Sequence, residues 1–598
     1  MPTNSSISLP DRIAKCALHH YHYVLPSNNG GKPQQGREWT VYAAIVAVRS
    51  DDDGNIFHDI DQKKSGGDAA MWVVSCATGS KCTSVNSIVS TFPTVGNADG
   101  KDSDAAIIQS YNGMVLKDSH AEVLSRRGLM TVLWNEIEVA LEHLNEKNAT
   151  DTASASKVEC AKRLLEVLPH RNKLGMIQFG LRKDITLHMY ISDSPCGDAT
   201  IYEIKKIRDP AKQDEDLVCS RCNEEGFDTE MNFTGAKLIL TGNEAVDSDL
   251  STKQDAGNDK KYSLSEIITV TSHGNSKDDS TRNNSTIKLG REHIQQLGAL
   301  RLKSSRSNIP SHLRSTSMSC ADKFVRWGLL GLQGSLLMAF IPQPICLTSI
   351  CVSNDSRALG GSQSVALTRA LKDRISITLE ILRSQNKCLM VTPPDVAIVD
   401  EIYESSKSEC ENRHLMREYN DGKRNEQDDA PEKHILHANK KLKIGNDSGE
   451  KFVQPFKADK KLKKESPSGM CINWHQLQST DSKSKAKNVE VTVGATGLKR
   501  GKKPKHPQDV INSSSRLCRY SFINRCKKCY ELLAMLIRSS ENDFKIGDLV
   551  SYLQYKKELS QMGIVGDLEY IFNRDENGCS GPLDGWVRTG YDNDFNAF

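Results

Sequence analysis

Three short stretches carry the residue types that do chemistry. In LKDSHAEVLSRRGL, residues 116–129, His120 and Glu122 stand two positions apart, and Arg126 and Arg127 follow one helical turn later. In SDSPCGDATIY, residues 192–202, Cys196 follows a proline where an apolar run ends. In STSMSCADKFVRWGLLGLQGSLLMAF, residues 315–340, Cys320 follows serines at what reads as a helix start. Imidazole and thiolate are natural ligands for a zinc ion, and a carboxylate that is not itself a ligand can move protons beside it. Taken alone, a His-x-Glu triplet is common and usually solvated, so the weight rests on the three stretches together.

A His-x-Glu helix start followed by Pro-Cys at a strand-to-helix turn is the arrangement used by zinc deaminases, in which His and Cys hold the metal and Glu shuttles protons. That signature normally closes with a second cysteine three positions after the first; here the position is Ala199, which cannot bind a metal. The third ligand must come from elsewhere. Two Cys-x-x-Cys pairs, Cys219 with Cys222 and Cys526 with Cys529, have the spacing of a structural zinc site. Cys320 is the better candidate: Ser317 or Ser319 can cap a helix there, and the helix dipole favours a thiolate in the first turn. As a lone residue it could equally be a buried structural cysteine. Gly328, Gly331 and Gly334 recur every three residues after it, which suits close packing against another backbone.

The elements that must position these residues alternate. Residues 39–48, 71–78, 185–192, 345–352 and 489–496 are short, β-branched or aromatic, and read as buried strands. Within 120–144, Met130, Trp134, Ile137, Leu141 and Leu144 recur at helical spacing along one apolar stripe. Strands between helices imply an α/β layered domain. Residues 242–294 and 402–469 are polar and charged, and read as disordered insertions within one domain because strand-like or helix-like sequence resumes after each. Separate domains joined by linkers are the alternative.

Composition agrees with a diluted core: 598 residues, of which 37% are hydrophobic, and a mean hydropathy of −0.50. Net charge is +3, from 79 basic and 76 acidic residues, so any nucleic-acid argument must come from local clusters. Seventeen cysteines, an odd number with no regular framework, fit reduced thiols and metal ligands better than a disulfide scaffold. With no leader-like N-terminus and no run long enough to span a bilayer, the expectation is a soluble protein of nucleus or cytoplasm with no membrane partner.

HAEVLSRRGL, SDSPCGDA and TSMSCADKFVRWGLLGLQGSLL resemble the three zinc-site blocks of the adenosine-to-inosine RNA deaminases. REWTVYAAIV, SCATGSKC (75–82) and TGAK (234–237) are similar to the tRNA-specific branch, which deaminates the adenosine immediately 3′ of the anticodon in alanine tRNA. The resemblance implies a three-layer, cytidine-deaminase-like core over a single domain at 12–598, elaborated by family-specific helices. It implies zinc held by His120, Cys196 and Cys320, with Glu122 as proton carrier. It also implies a buried inositol hexakisphosphate lined by Arg126, Arg127, Ser317, Lys323, Arg326, Ser335 and Arg519, with Tyr552, Lys556 and Trp586 from the C-terminal segment. Asp118 and Lys323 would relay between the two sites, and Lys81 would lie near the target nucleotide.

The residues themselves leave the arginines open. Arg127 falls along the apolar stripe, where a charge needs a partner, and a buried salt bridge is the ordinary answer. A dense polyanion would instead satisfy many basic groups at once. Lys117 departs from the asparagine common in relatives, and Val587, Arg588 and Thr589 depart from the acidic residue and lysine that often follow the tryptophan. The cluster LKRGKKPKH, 498–506, suits tRNA phosphates, and a solvated tail or a nuclear-import signal equally. No stretch resembles a double-stranded-RNA-binding module, which favours tRNA as partner; no DNA partner is expected. A duplex-RNA editor without its own targeting module and a non-catalytic RNA-binding relative are the competing readings.

Overall fold

The structure is a computed structural model. It describes residues 7–26, 31–50, 71–91, 111–149, 162–171, 176–207, 227–232, 238–240, 267–269, 297–303, 315, 317–384, 391–428, 464–477, 488–501 and 503–536. Its centre is a mixed eight-stranded sheet. In chain order the strands are β1 (Tyr42–Arg49), β2 (Met71–Thr78), β3 (Ile185–Ile191), β4 (Ser349–Ser353), β5 (Asp395–Val399), β6 (Met470–His475), β7 (Val489–Val493) and β8 (Leu498–Lys499), and in space they run β5-β4-β3-β1-β2-β6-β7-β8. β3, β4 and β5 are mutually parallel, and every other neighbouring pair is antiparallel.

The period of two along β1 explains how one strand serves two cores. Ala43, Ile45 and Ala47 face a cluster with Trp134, Ile137 and Leu141 of the helix α2 (Ala121–Ala149). Tyr42, Ala44 and Val46 face the opposite way, onto Ala14, Ala17, Leu18 and Tyr21 of α1 (Leu9–Tyr23). The apolar stripe read at 120–144 is therefore the face α2 lays on the sheet, with Trp134 fully buried and edge-on to Phe340 at 5.6 Å. Beside it on the same face lie α3 (Cys320–Leu330) and α6 (Arg519–Leu536), whose Phe324, Phe522 and Ile523 join that core. At Gly328 the close neighbour is a side chain and not the backbone that the sequence suggested: a Cβ there would lie 2.4 Å from Ile375 Cδ1, in the helix α4 (Arg374–Ser384).

Boundaries shift where local bonding overrides the apolar pattern. The strand expected at 345–352 starts at Ser349, and the one expected at 489–496 ends at Val493 because a turn to Gly497, with φ +68°, takes over. Part of the tract read as an insertion at 402–469 is structured. Lys407–Asp428 forms a helix, α5, whose first turn is anchored by the buried Asp193 carboxylate, which accepts from the Ser408 N–H and hydroxyl at 2.9 Å each. Ser466–Pro467 pairs with Glu38–Trp39. Residues 429–463, and all of 242–294 except the strand Ile267–Thr269, lie outside the described residues. Among the described residues no helix is long and apolar enough to cross a membrane.

Candidate active site

His120 does not open the helix, as its sequence suggests, but ends a short strand, Asp118–His120, that pairs with Ser80–Cys82 just after β2. The chain turns into α2 at Ala121, whose N–H donates to Gly79 O at 3.0 Å. Gly79 is required there: its φ is +148°, and a Cβ would sit 2.0 Å from the Ser119 carbonyl oxygen.

Cys196 lies in the loop leaving β3, and Cys320 is the first residue of α3. Of the two candidate caps, Ser319 performs the role, its hydroxyl accepting from the Asp322 N–H at 3.2 Å. Two backbone links join the loops: Cys320 N–H to Cys196 Sγ at 3.4 Å, and Ala321 N–H to Cys196 O at 3.0 Å. Gly197 lets them approach, since its φ is +113° and a Cβ would meet Ser319 Oγ at 2.4 Å. The result is that one ligand atom from each of His120, Cys196 and Cys320 lies within 4.8 Å of the others, the spacing of a shared metal ion. Ala199 is fully buried and takes no part.

Glu122 stands beside this trio, 2% exposed, and its Oε2 is buried with no hydrogen-bond partner among the described residues. A carboxylate oxygen held dry and unsatisfied is costly unless something else meets it. The donor set and this orphaned oxygen together fit a bound metal and a polar reactant.

Behind the trio is a buried charge network. Asp118 Oδ1 lies 2.8 Å from His120 Nδ1, which leaves Nε2 as the ring's other nitrogen. Asp118 Oδ2 accepts from Lys303 Nζ at 2.8 Å, from Ser317 Oγ at 2.7 Å and from Lys323 Nζ. Burial opposes the Asp118 charge, but Lys303, Lys323 and His120 overcome it and hold the carboxyl well below its usual range. Burial and Lys303 oppose the charged His120 ring; Asp118, Cys82 and Cys196 outweigh them and raise it. A hydrogen bond from Cys320 holds the Cys196 thiol well below its ordinary value, against burial and with help from Lys303 and His120. Burial, with Cys196 beside it, raises the Cys320 thiol well above its ordinary value, and its sulfur accepts from Lys303 Nζ at 2.8 Å. Lys303 is thus central to the site, and sequence reading passed over it because it lies outside the three blocks; its one signal was a lysine ending the apolar GALRLK.

The basic residues come from three helices. Arg126 and Arg127 lie on α2, Lys323 and Arg326 on α3, and Arg519 begins α6; all are half-buried, as are Ser317 and Ser335. Arg126 stacks on Trp327, with 5.1 Å from its guanidinium carbon to the ring centre. Two of Arg127's partners are neutral: Nε donates to Leu517 O at 2.7 Å, and the guanidinium lies 5.2 Å from the Phe522 ring centre. Lys81 pairs in register with Ser119, next to His120. Tyr552, Lys556 and Trp586 lie outside the described residues, as do Cys219 and Cys222. Cys526 and Cys529 are not a zinc pair: both face the apolar core from α6, and burial raises both thiols far above their ordinary values.

Comparison with known proteins agrees with this geometry. A macaque protein named tRNA-specific adenosine deaminase 1 is 27% identical over 387 residues, 57% of this chain and 65% of the relative. The mouse protein of the same name is 26% identical over 410 residues, 62% of this chain and 70% of the relative. A mouse double-stranded RNA-specific adenosine deaminase is 26% identical over 346 residues, 58% of this chain but 20% of the relative. The match to the macaque protein thus spans a little under two thirds of that relative's length. Residues 75–562 match the adenosine-deaminase (editase) domain, a span that holds His120, Glu122, Cys196 and Cys320, and the chain belongs to that family.

Proposed function

We propose that this protein is a zinc-dependent, cytidine-deaminase-like enzyme that hydrolyses adenosine to inosine in tRNA, at the adenosine immediately 3′ of the anticodon of alanine tRNA, in nucleus or cytoplasm. The observation that carries the reading is the convergence of His120, Cys196 and Cys320 beside the buried, unpartnered Oε2 of Glu122. Zinc at the three donors would supply the Lewis acidity that makes water nucleophilic near neutral pH. Glu122 takes the proton from the attacking water and delivers it to the departing amine, so adenosine and water become inosine and ammonia. Asp118 fixes the His120 ring through Nδ1, and Lys303 balances the charge of the sulfurs and of Asp118. Lys81, on the strand beside His120, would lie near the target nucleotide, where its charge suits the RNA backbone next to an extruded base.

Arg126, Arg127, Ser317, Lys323, Arg326, Ser335 and Arg519 would hold an inositol hexakisphosphate as a structural cofactor, with Tyr552, Lys556 and Trp586 completing its shell. Half-buried guanidinium and ammonium groups drawn from three helices support this, because a polyanion neutralises them together. The substrate class is tested by incubating the purified protein with alanine tRNA and, separately, with a long duplex RNA. Inosine is expected in the tRNA, next to the anticodon; faster editing of the duplex would favour the duplex-editor reading instead.

A further inference from the structure

Two of the metal donors share a local pattern that the charge network above does not use: Cys196-Gly-Asp198 and Cys320-Ala-Asp322. Both aspartates are buried, with side chains 0% and 1% exposed. Each holds a backbone N–H of the segment that leads into Lys303: Asp198 Oδ1 accepts from Gly298 at 3.1 Å, and Asp322 Oδ2 from Arg301 at 2.9 Å. Each is also met by an arginine from one short piece of helix. Arg369 donates to Asp198 Oδ2 at 3.1 Å, to Asp198 O at 3.0 Å and to Ile201 O at 3.3 Å. Arg374 donates to Asp322 Oδ1 at 2.8 Å.

The backbone explains how arginines five positions apart can do this. Residues five apart on an α-helix point roughly 140° away from each other. Between Ser362–Thr368 and α4 the chain instead makes a single π-turn, Arg369–Asp373, whose i to i+5 bonding brings such positions back toward one face. Such turns are costly and concentrate at functional sites.

We infer that Arg369 and Arg374 are positioning residues for the metal centre, a π-turn clamp that fixes the Cys196 loop, the Cys320 helix start and the Lys303 segment relative to one another. The clamp touches neither donors nor substrate; it acts through Asp198 and Asp322. This rests on the metal reading above but not on the identity of the RNA.

Arg369→Lys tests it, because lysine keeps the charge against Asp198 while losing the fork that reaches two carbonyls as well. The readouts are metal affinity by chelator competition and the visible spectrum of the cobalt(II)-substituted protein, beside the melting temperature. The expected result is an affinity for zinc lower by about 10-fold, a shifted cobalt spectrum, and a lower kcat at unchanged KM for RNA, with melting close to that of the parent. Should Arg369→Lys not fold, the neutral pair Asp198→Asn with Arg369→Gln is measured in its place, with the same loss of affinity expected. Parent-like affinity and cobalt spectrum in a folded variant would overturn the clamp. A parent protein that binds cobalt tightly but edits no RNA would fail the functional reading and leave this comparison intact.

Discussion

Glu122→Gln abolishes inosine formation while leaving about one zinc per chain. The glutamine keeps the size and the hydrogen-bonding edge of the side chain but cannot carry a proton between water and amine, so the loss is on the order of 100- to 10,000-fold or more in kcat. Zinc is expected to be retained because the proposed donors, His120, Cys196 and Cys320, are unchanged. Thermal stability is expected to hold or rise, since the substitution removes a charge from a buried oxygen that has no partner among the described residues. This combination separates a catalytic role from a structural one: activity falls, while metal and melting do not. A Glu122→Gln protein that still forms inosine at the parent rate removes Glu122 from the mechanism.

Asp118→Asn is expected to cost both stability and metal. It strips the counter-charge from Lys303 and Lys323, whose side chains are 5% and 16% exposed. Breaking a buried ion pair from one side destabilises by about 3–5 kcal/mol. The same change weakens the bond that orients His120, and loss of such an outer partner lowers metal affinity by about 10- to 100-fold. The pH dependence follows from the direction of the shift. The folded carboxyl sits well below its unfolded value of about 3.9. Its stabilisation is therefore fully present above that value and is lost as pH falls through the lower folded value. The variant should lose stability at pH 7 and show a flatter acid limb below about pH 4 than the parent. Chemical denaturation at pH 7 and at pH 3 measures both; equal stability of the two proteins at pH 7 would contradict the account.

Much of this site was legible because short-range rules set it. The Ser319 cap, the placement of Cys320 at a helix start and the apolar stripe of α2 all follow from local spacing, and the structure keeps them. The strands β1, β2 and β3 announced themselves by composition. What the sequence hid is what depends on tertiary contact. Lys303 looks like any lysine until the fold brings it between Asp118 and Cys320. Two partners of Arg127 come from residues 390 and 395 positions away, at Leu517 and Phe522. The Cys526–Cys529 spacing suggested metal, yet a helix turns both inward, and burial is the largest influence on both thiols. The charged tract after 402 reads as disorder by composition, but the buried Asp193 caps a helix there, a bond no local pattern reveals.

The zinc-centre reading stands or falls on inosine formation in purified alanine tRNA by the parent protein and by Cys320→Ala, with zinc content measured on both. Inosine and about one zinc per chain are expected in the parent, and loss of both in the variant, because Cys320 is the proposed third donor. Inosine formed at the parent rate by a Cys320→Ala protein, or a zinc-loaded parent that forms none, would contradict it.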